Sequence, residues 1–189
     1  PFKTHHNTLG IDLFLRIALE LHLKRLLVGG IERVYELGRV YRNEGISPKH
    51  NPEFTQLEFY WAYADYLQVM ELTEQMVSST AQQVLGTMKI KFKDHEIDLT
   101  PPWTRLEMRK GLLDATGVDT GAHTDSDSLS AALRAKGLNP PVGVTRGKLI
   151  DWMLGEYLEP TMIQPTFLYD YPRDISPLAK SRPNAPLTV

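Results

Sequence analysis

The sequence predicts an α+β fold in which an antiparallel sheet is flanked by helices. Two long runs rich in β-branched and aromatic residues, 33–44 and 53–64, flank a turn-rich stretch from Gly45 to Pro52, which is typical of a β-hairpin with a long loop. Apolar residues recur at helical spacing from about 66 to 85, and Gly86 ends that run. The chain lacks the strand–helix alternation that characterises doubly wound parallel sheets.

The other predicted elements are shorter. They comprise a strand at 12–17, a helix at 19–28, a second hairpin at 88–92 and 96–99, helices at 107–116, 127–136 and 145–159, and a strand at 166–171. In the helix at 66–85, Asp65 and Gln68 form a predicted capping pair. The core-facing stripe of that helix is predicted to comprise Leu67, Met70, Val77, Ala81 and Val84. These patterns divide the chain into a core at 1–100, a helical insertion at 101–145 and a return to the core at 146–189.

The composition excludes several classes of protein. The 189 residues carry a net charge of −2 and include no cysteine, so disulfide frameworks, thiolate metal sites and cysteine nucleophiles are excluded. No apolar run approaches the roughly 20 residues that a membrane helix needs, and we expect no membrane partner. His5 and His6 lack the spacing of metal ligands, so no metal site is predicted. The absence of cysteine fits a cytoplasmic protein, and the start at Pro1 without a signal segment indicates that the ends were cut.

Side-chain alternation sorts the longer hairpin into two faces. One face of the second strand is apolar and is expected to pack into the core; it comprises Thr55, Leu57, Phe59, Trp61 and Tyr63. The opposite faces of the two strands carry Phe54, Gln56, Glu58 and Tyr60, and Glu36, Gly38, Val40, Arg42 and Glu44. If these faces coincide, one surface combines a phosphate-binding guanidinium, carboxylates, a phenol and an aromatic ring. A solvated sheet with cross-strand Arg–Glu pairs fits the same pattern, so the residues alone leave both interpretations open.

Three runs along this hairpin form a recognisable motif. They read Tyr-Arg-Asn-Glu-Gly-Ile-Ser at 41–47, His-Asn-Pro-Glu-Phe-Thr at 50–55 and Leu-Glu-Phe-Tyr at 57–60. Together they resemble motif 2 of the class II (subclass b) aminoacyl-tRNA synthetases, in the wording of the lysyl branch. Further runs that agree with this branch lie at 2–7, 15–18, 28–30, 164–167 and 176–180. The resemblance covers nearly the whole chain, is weakest over 104–145, and implies part of a class II catalytic core.

The resemblance implies an ATP-binding role for five residues. Arg42 is expected to hold the α-phosphate of ATP and the substrate carboxylate, and to stabilise the charge that builds up during in-line attack. Glu44, His50 and Asn51 are expected to contact the nucleotide. Phe54 is expected to stack on the adenine ring.

The resemblance also implies a lysine site. Glu20 and Glu58 are expected to receive the α-ammonium group, and Tyr60 is expected to lie near the ε-ammonium group. Two departures from the family wording touch this region: Leu19 stands where proline is usual before Glu20, and Gln56 replaces a usual methionine on the pocket-side face.

For the parent protein, the resemblance implies activation of lysine with ATP and its transfer to tRNA(Lys). A homodimer and a Mg²⁺ ion, whose ligands would lie outside this chain, are also implied. Motif 1 and the anticodon-reading OB-fold would precede Pro1, and motif 3 would follow Val189. The chain alone is therefore expected to be inactive.

Two alternatives stay open at this point. A lysyl-synthetase paralogue without the anticodon domain would modify a protein such as elongation factor P. A non-catalytic binding module could keep the same fold for interaction alone.

Overall fold

The computed structural model describes residues 1–48 and 50–189, which group into two units, Pro1–Val69 and Met70–Val189. In the first unit, β1 (Lys3–His6) pairs with β2 (Ile11–Phe14), and α1 (Glu20–Val28) precedes the hairpin of β3 (Arg33–Tyr41) and β4 (Glu53–Trp61). The helix α2 (Tyr66–Leu85) contains the division between the units. The second unit comprises β5 (Lys89–Phe92), β6 (His95–Asp98), β7 (Thr104–Glu107), α3 (Met108–Thr116), α4 (Ser126–Ala135), α5 (Arg146–Met153) and β8 (Thr166–Tyr169).

Elements with strong local signals lie where the sequence places them. The backbone N–H of Gln68 donates to Asp65 Oδ1, and the backbone N–H of Asp65 donates to Gln68 Oε1, both at 3.0 Å. This reciprocal cap explains why α2 begins at Tyr66. The second predicted hairpin is confirmed as β5 and β6, and Lys93 turns it with a φ of 53°. The helix α1 begins at Glu20, so Leu19 in the place of proline does not displace the glutamate.

The predicted burial of the long hairpin is wrong. Tyr35 is 75% exposed and Leu37 is 65% exposed, and Leu57 on the same face is also exposed. The opposite face is covered instead, because Leu23 of α1 and Leu19, which immediately precedes this helix, pack against Val40. Side-chain alternation determines which residues share a face, but which face is covered depends on where α1 packs.

The predicted core stripe of α2 is correct for Ala81 but wrong for Leu67 and Val84. The buried residues of this helix are Glu74, Ser78 and Ala81, whereas Leu67 is 54% exposed and Val84 is 73% exposed. The two polar residues on this buried face each have a partner. Ser78 Oγ donates to the carbonyl of Leu99 at 2.6 Å, and Glu74 binds Arg105. Paired polar groups can occupy a helix's buried face, which apolar periodicity does not detect.

The sheet prediction requires a correction. The described strands form four two-stranded sheets rather than one antiparallel sheet, and the β7–β8 pair is parallel, with Thr104 opposite Thr166. The sequence analysis missed β7 and β1. Parallel strands need a long crossover connection, here built from α3, α4 and α5, so their pairing leaves no local sequence pattern.

The core of the second unit draws on three helices. Its buried members are Met108, Leu112, Val118, Leu129, Leu133, Leu149, Ile150, Met153, Leu154 and Leu158. They lie on both sides of position 145, so contacts within the chain do not separate the predicted insertion from the segment after it. The three-part division stays a prediction.

Gly147 at the start of α5 offers a test of this packing. An added Cβ would lie 2.8 Å from the backbone oxygen of Asp174, whereas a Cβ at Gly155 would meet no atom within 4 Å. We expect Gly147→Ala to lower the free energy of unfolding by about 1–3 kcal/mol, because the backbone has to move. Gly155→Ala, the matched control, should be neutral or stabilising. Urea unfolding of both variants measures the difference, and equal midpoints would contradict the close contact.

No helix in the described part of the chain is both long enough and apolar enough to cross a membrane.

Candidate active site

The candidate site lies on the covered face of the β3–β4 hairpin. The register places Val34 opposite Tyr60, Glu36 opposite Glu58, Gly38 opposite Gln56 and Val40 opposite Phe54. The two predicted polar faces therefore coincide. The side chains of β4 on this face follow one another at two-residue spacing, so Phe54 and Tyr60 lie about 20 Å apart along the strand.

Arg42 lies just beyond the end of β3. The predicted strand extends to residue 44, but the ladder ends at Tyr41 opposite Glu53. The backbone N–H of Arg42 still donates to the carbonyl of Pro52 at 2.9 Å, and its side-chain Nε donates to the carbonyl of Ile17 at 3.1 Å. These bonds fix the half-buried arginine, whose guanidinium carbon lies 5.3 Å from the centre of the Phe54 ring. Neither Nη atom bonds to any described residue, so the end of the fork is available to an anion.

Two cavities of the first unit meet at Arg42. One has a volume of about 420 Å³ and includes Arg42, Glu44, His50, Asn51 and Phe54 in its lining. The other has a volume of about 380 Å³ and is lined by Pro1, Ile17, Ala18, Arg42, Asn43 and Glu44. All five residues predicted to bind ATP thus line one cavity, whose volume is in the range of small-molecule sites.

The loop before β4 has a closure of its own. Ser47 and His50 exchange backbone hydrogen bonds of 3.2 and 3.1 Å, and Ser47 Oγ lies 2.8 Å from His50 Nδ1. This small bridge holds the exposed imidazole of His50, which lines the cavity.

A second group of residues gathers at the other end of the hairpin. Lys24 forms an ion pair with Glu20 one helical turn earlier, and its Nζ lies 5.8 Å from the centre of the Tyr60 ring. Hydrogen bonding to Glu20 raises the pKa of Lys24, and the negative charges of Glu20 and Glu58 add to the effect. Burial raises the pKa of the Tyr60 phenol, and the charges of Glu58 and Glu20 add to that shift. The three predicted lysine-binding residues therefore lie within electrostatic reach of one another.

The sequence analysis missed Lys24 as a member of this group. Its i,i+4 spacing from Glu20 was the available signal, because such pairs lie side by side on a helix.

Arg16 is a second residue on this face of the hairpin that the sequence analysis did not assign to the site. Its Nε donates to the carbonyl of Arg39 at 2.7 Å, and its Nη1 binds Glu36. The guanidinium lies where a side chain at residue 38 would stand, since an added Cβ on Gly38 would be 2.2 Å from Arg16 Nη2. A glycine within a strand signals this kind of close approach.

The family model for class II tRNA synthetases (D, K and N) matches residues 1–187 of the chain. The chain belongs to the class II tRNA synthetases. This synthetase chain is 53% identical over 187 residues to the lysine–tRNA ligase of Synechococcus sp. (strain CC9605), a match that covers 98% of the chain and 37% of that protein. It is 53% identical over 186 residues to the lysine–tRNA ligase of Moorella thermoacetica, covering 98% of the chain and 38% of that protein. It is also 50% identical over 186 residues to the lysine–tRNA ligase of Dehalococcoides mccartyi, covering 98% of the chain and 37% of that protein.

The synthetase chain thus spans less than two-fifths of the length of these curated relatives. Their shared name gives no support to the alternatives of a protein-modifying paralogue or a non-catalytic module.

Mg²⁺ is general for the family, but the described part of the synthetase chain contains no set of ligands for it. Within residues 1–48 and 50–189, no three His, Asp or Glu side chains converge as a metal site requires. A separate cavity of about 640 Å³ in the second unit is lined by residues of α4 and of the loop before α5, and no predicted site residue lines it.

Proposed function

We propose that the full-length protein containing this chain is a lysine–tRNA ligase that forms lysyl-adenylate and transfers the lysyl group to tRNA(Lys). The observation that carries the proposal is the position of Arg42. Arg42 lines two cavities, one of them lined by the residues expected to bind ATP, and its Nη atoms have no partner among the described residues. The names of the relatives, at 50–53% identity, support lysine as the amino acid.

The ATP side of the site binds through charge and stacking. Phe54 stacks on the adenine ring, and Glu44, His50 and Asn51 contact the nucleotide from the same cavity wall. Arg42 binds the α-phosphate with its free fork, which suits a group with several oxygen acceptors.

The lysine side of the site binds through carboxylates. Glu20 and Glu58 receive the α-ammonium group, and the Tyr60 phenol lies near the ε-ammonium group. Lys24 is an exposed cation that is already paired with Glu20, so a substrate ammonium group that binds Glu20 has to displace it.

In the reaction, a carboxylate oxygen of lysine forms a bond to the α-phosphorus while the bond to pyrophosphate breaks. No residue acts as a nucleophile. Arg42 stabilises the negative charge that develops on the phosphoryl oxygens. The lysyl group then passes to a ribose hydroxyl of the tRNA, and AMP leaves.

The proposal extends to the setting of the enzyme. We place it in the cytoplasm, as a homodimer, with no membrane partner. Because the chain spans about 37% of the length of its relatives, the 189-residue chain alone is proposed to be inactive or nearly so.

ATP–pyrophosphate exchange by the full-length protein tests the proposal. Lysine, aspartate and asparagine should be compared, because the family model covers all three specificities. Exchange that depends on lysine is expected. Exchange with aspartate or asparagine instead would replace the substrate assignment, and no exchange with any amino acid would overturn the catalytic proposal.

A further inference from the structure

We infer that Gln56 is part of the substrate-ammonium site, acting through its own carbonyl oxygen and by positioning Glu58. The inference rests on the proposed function and adds a residue to it. Gln56 lies between Phe54 and Glu58 on the site face of β4, and therefore between the expected adenine and ammonium positions.

Two buried oxygen atoms carry the inference. Gln56 Oε1 and Glu58 Oε2 are both shielded from solvent, and neither has a hydrogen-bond partner among the described residues. Buried acceptors are nearly always bonded, and each one left alone destabilises the fold. At a substrate site, a bound ligand can supply the missing donor.

One hydrogen bond engages the other polar atoms of these two side chains. Gln56 Nε2 donates to Glu58 Oε1 at 3.2 Å. This bond leaves Glu58 Oε2 and Gln56 Oε1 without a donor among the described residues. The result is a pair of acceptors, one charged and one neutral, on adjacent side chains of one face.

The neighbouring cation is already engaged. Glu36 lies directly opposite Glu58, and two like charges in such positions repel each other. Arg16 neutralises Glu36 and also donates to the carbonyl of Arg39, but it bonds to neither Gln56 nor Glu58. Gly38, the cross-strand neighbour of Gln56, has no side chain that could donate.

An ammonium group matches this pair of acceptors. It carries three N–H donors and a positive charge, so it can bond to Glu58 Oε2 and Gln56 Oε1 together. The glutamine therefore adds a neutral acceptor to the charged acceptor of Glu58 in binding the substrate ammonium group.

Replacement of Gln56 by methionine tests the inference in the full-length protein, because methionine keeps the length of the side chain and removes both polar atoms. In lysine-dependent ATP–pyrophosphate exchange, Gln56→Met should raise the KM for lysine about tenfold or more, with kcat and the KM for ATP within about threefold of the parent. Gln82→Met on the exposed side of α2 is the matched control, and its KM for lysine should not change.

Thermal unfolding with and without lysine separates this role from a structural one. If Gln56 serves the substrate, the rise in Tm that saturating lysine gives the parent should be smaller in Gln56→Met, whatever the Tm of the free variant, because the substitution also removes the bond to Glu58 Oε1. An equal lysine-induced rise in Tm in the parent and the variant would overturn the inference. So would an unchanged KM for lysine. Absence of lysine-dependent exchange in the parent protein would overturn the proposed function itself, and the inference with it.

Discussion

Replacing Arg42 by alanine in the full-length protein is expected to lower the rate of lysine-dependent ATP–pyrophosphate exchange by a factor of about 10³ or more. Removal of a single donor that stabilises transition-state charge costs about 10²–10³ in other enzymes, and Arg42 is proposed to bind both the phosphate and the carboxylate. The side chain is held by one bond from Nε to the carbonyl of Ile17, so most of its donors are available for substrates. Steady-state exchange kinetics with lysine and ATP measure the loss.

Arg39→Ala is the matched control for this experiment. Arg39 lies three residues earlier, near the end of β3 and on the other face of the hairpin, where its exposed guanidinium pairs with Glu53 at 3.2 Å. Loss of an exposed pair changes stability by about 1 kcal/mol or less, and the exchange rate should stay near that of the parent. Arg42→Lys should fall between the two, because lysine keeps the charge without the fork. Equal exchange in the Arg42→Ala and Arg39→Ala variants would contradict the proposed role of Arg42.

Replacing Glu74 by alanine is expected to lower the free energy of unfolding of the 189-residue chain by about 2–4 kcal/mol. The Glu74 side chain is only 6% exposed, and its two oxygens accept from Arg105 Nη1 and Nη2 at 3.1 Å each. It also accepts from the backbone N–H of Trp103. The variant would leave these donors unpaired. The Arg105 side chain is 34% exposed and can turn to water, which places the expected loss below that of a fully buried pair.

The Glu74–Arg105 pair should also make the free energy of unfolding depend on pH. Hydrogen bonding from Arg105 lowers the pKa of Glu74 below its ordinary value of 4.5. A carboxyl group with a lowered pKa in the folded state contributes stability above its unfolded pKa and loses it as the pH falls toward the folded value. Urea unfolding at pH 7 and pH 3.5 should therefore show a smaller acid loss in Glu74→Gln than in the parent. Glu71→Gln, at an exposed position of α2, should behave as the parent does. An identical acid loss in all three proteins would contradict the Glu74–Arg105 pairing.

Elements governed by short-range contacts could be predicted from the sequence. The reciprocal bonds of Asp65 and Gln68 fix the start of α2, and Gly86 with its φ of 74° ends it. The turn at Lys93 defines the β5–β6 hairpin. Strand alternation also placed Phe54, Gln56 and Glu58 on one face, which the register confirms. In each case the deciding contact lies within a few residues along the chain.

The same distinction between contacts that are close along the chain and contacts that are distant applies to the candidate site. Five residues of the motif 2 runs line one cavity because they lie close together along a single hairpin. Their assigned roles toward ATP and lysine remain predictions that rest on the family. Arg16 and Lys24 could not be assigned from the hairpin, since they reach it from the chain before β3.

The sequence by itself determined the helices and hairpins with local signals, the residues that share each face of β3 and β4, and the family of the chain. Only the tertiary structure decided which face of that hairpin is covered, that β7 and β8 pair in parallel, and that Glu74 rather than Leu67 faces inward. Burial depends on which surfaces meet, and those partners lie far apart in the sequence. Helical and strand periodicity report the direction of a side chain relative to its own backbone, and they carry no information about what packs against it.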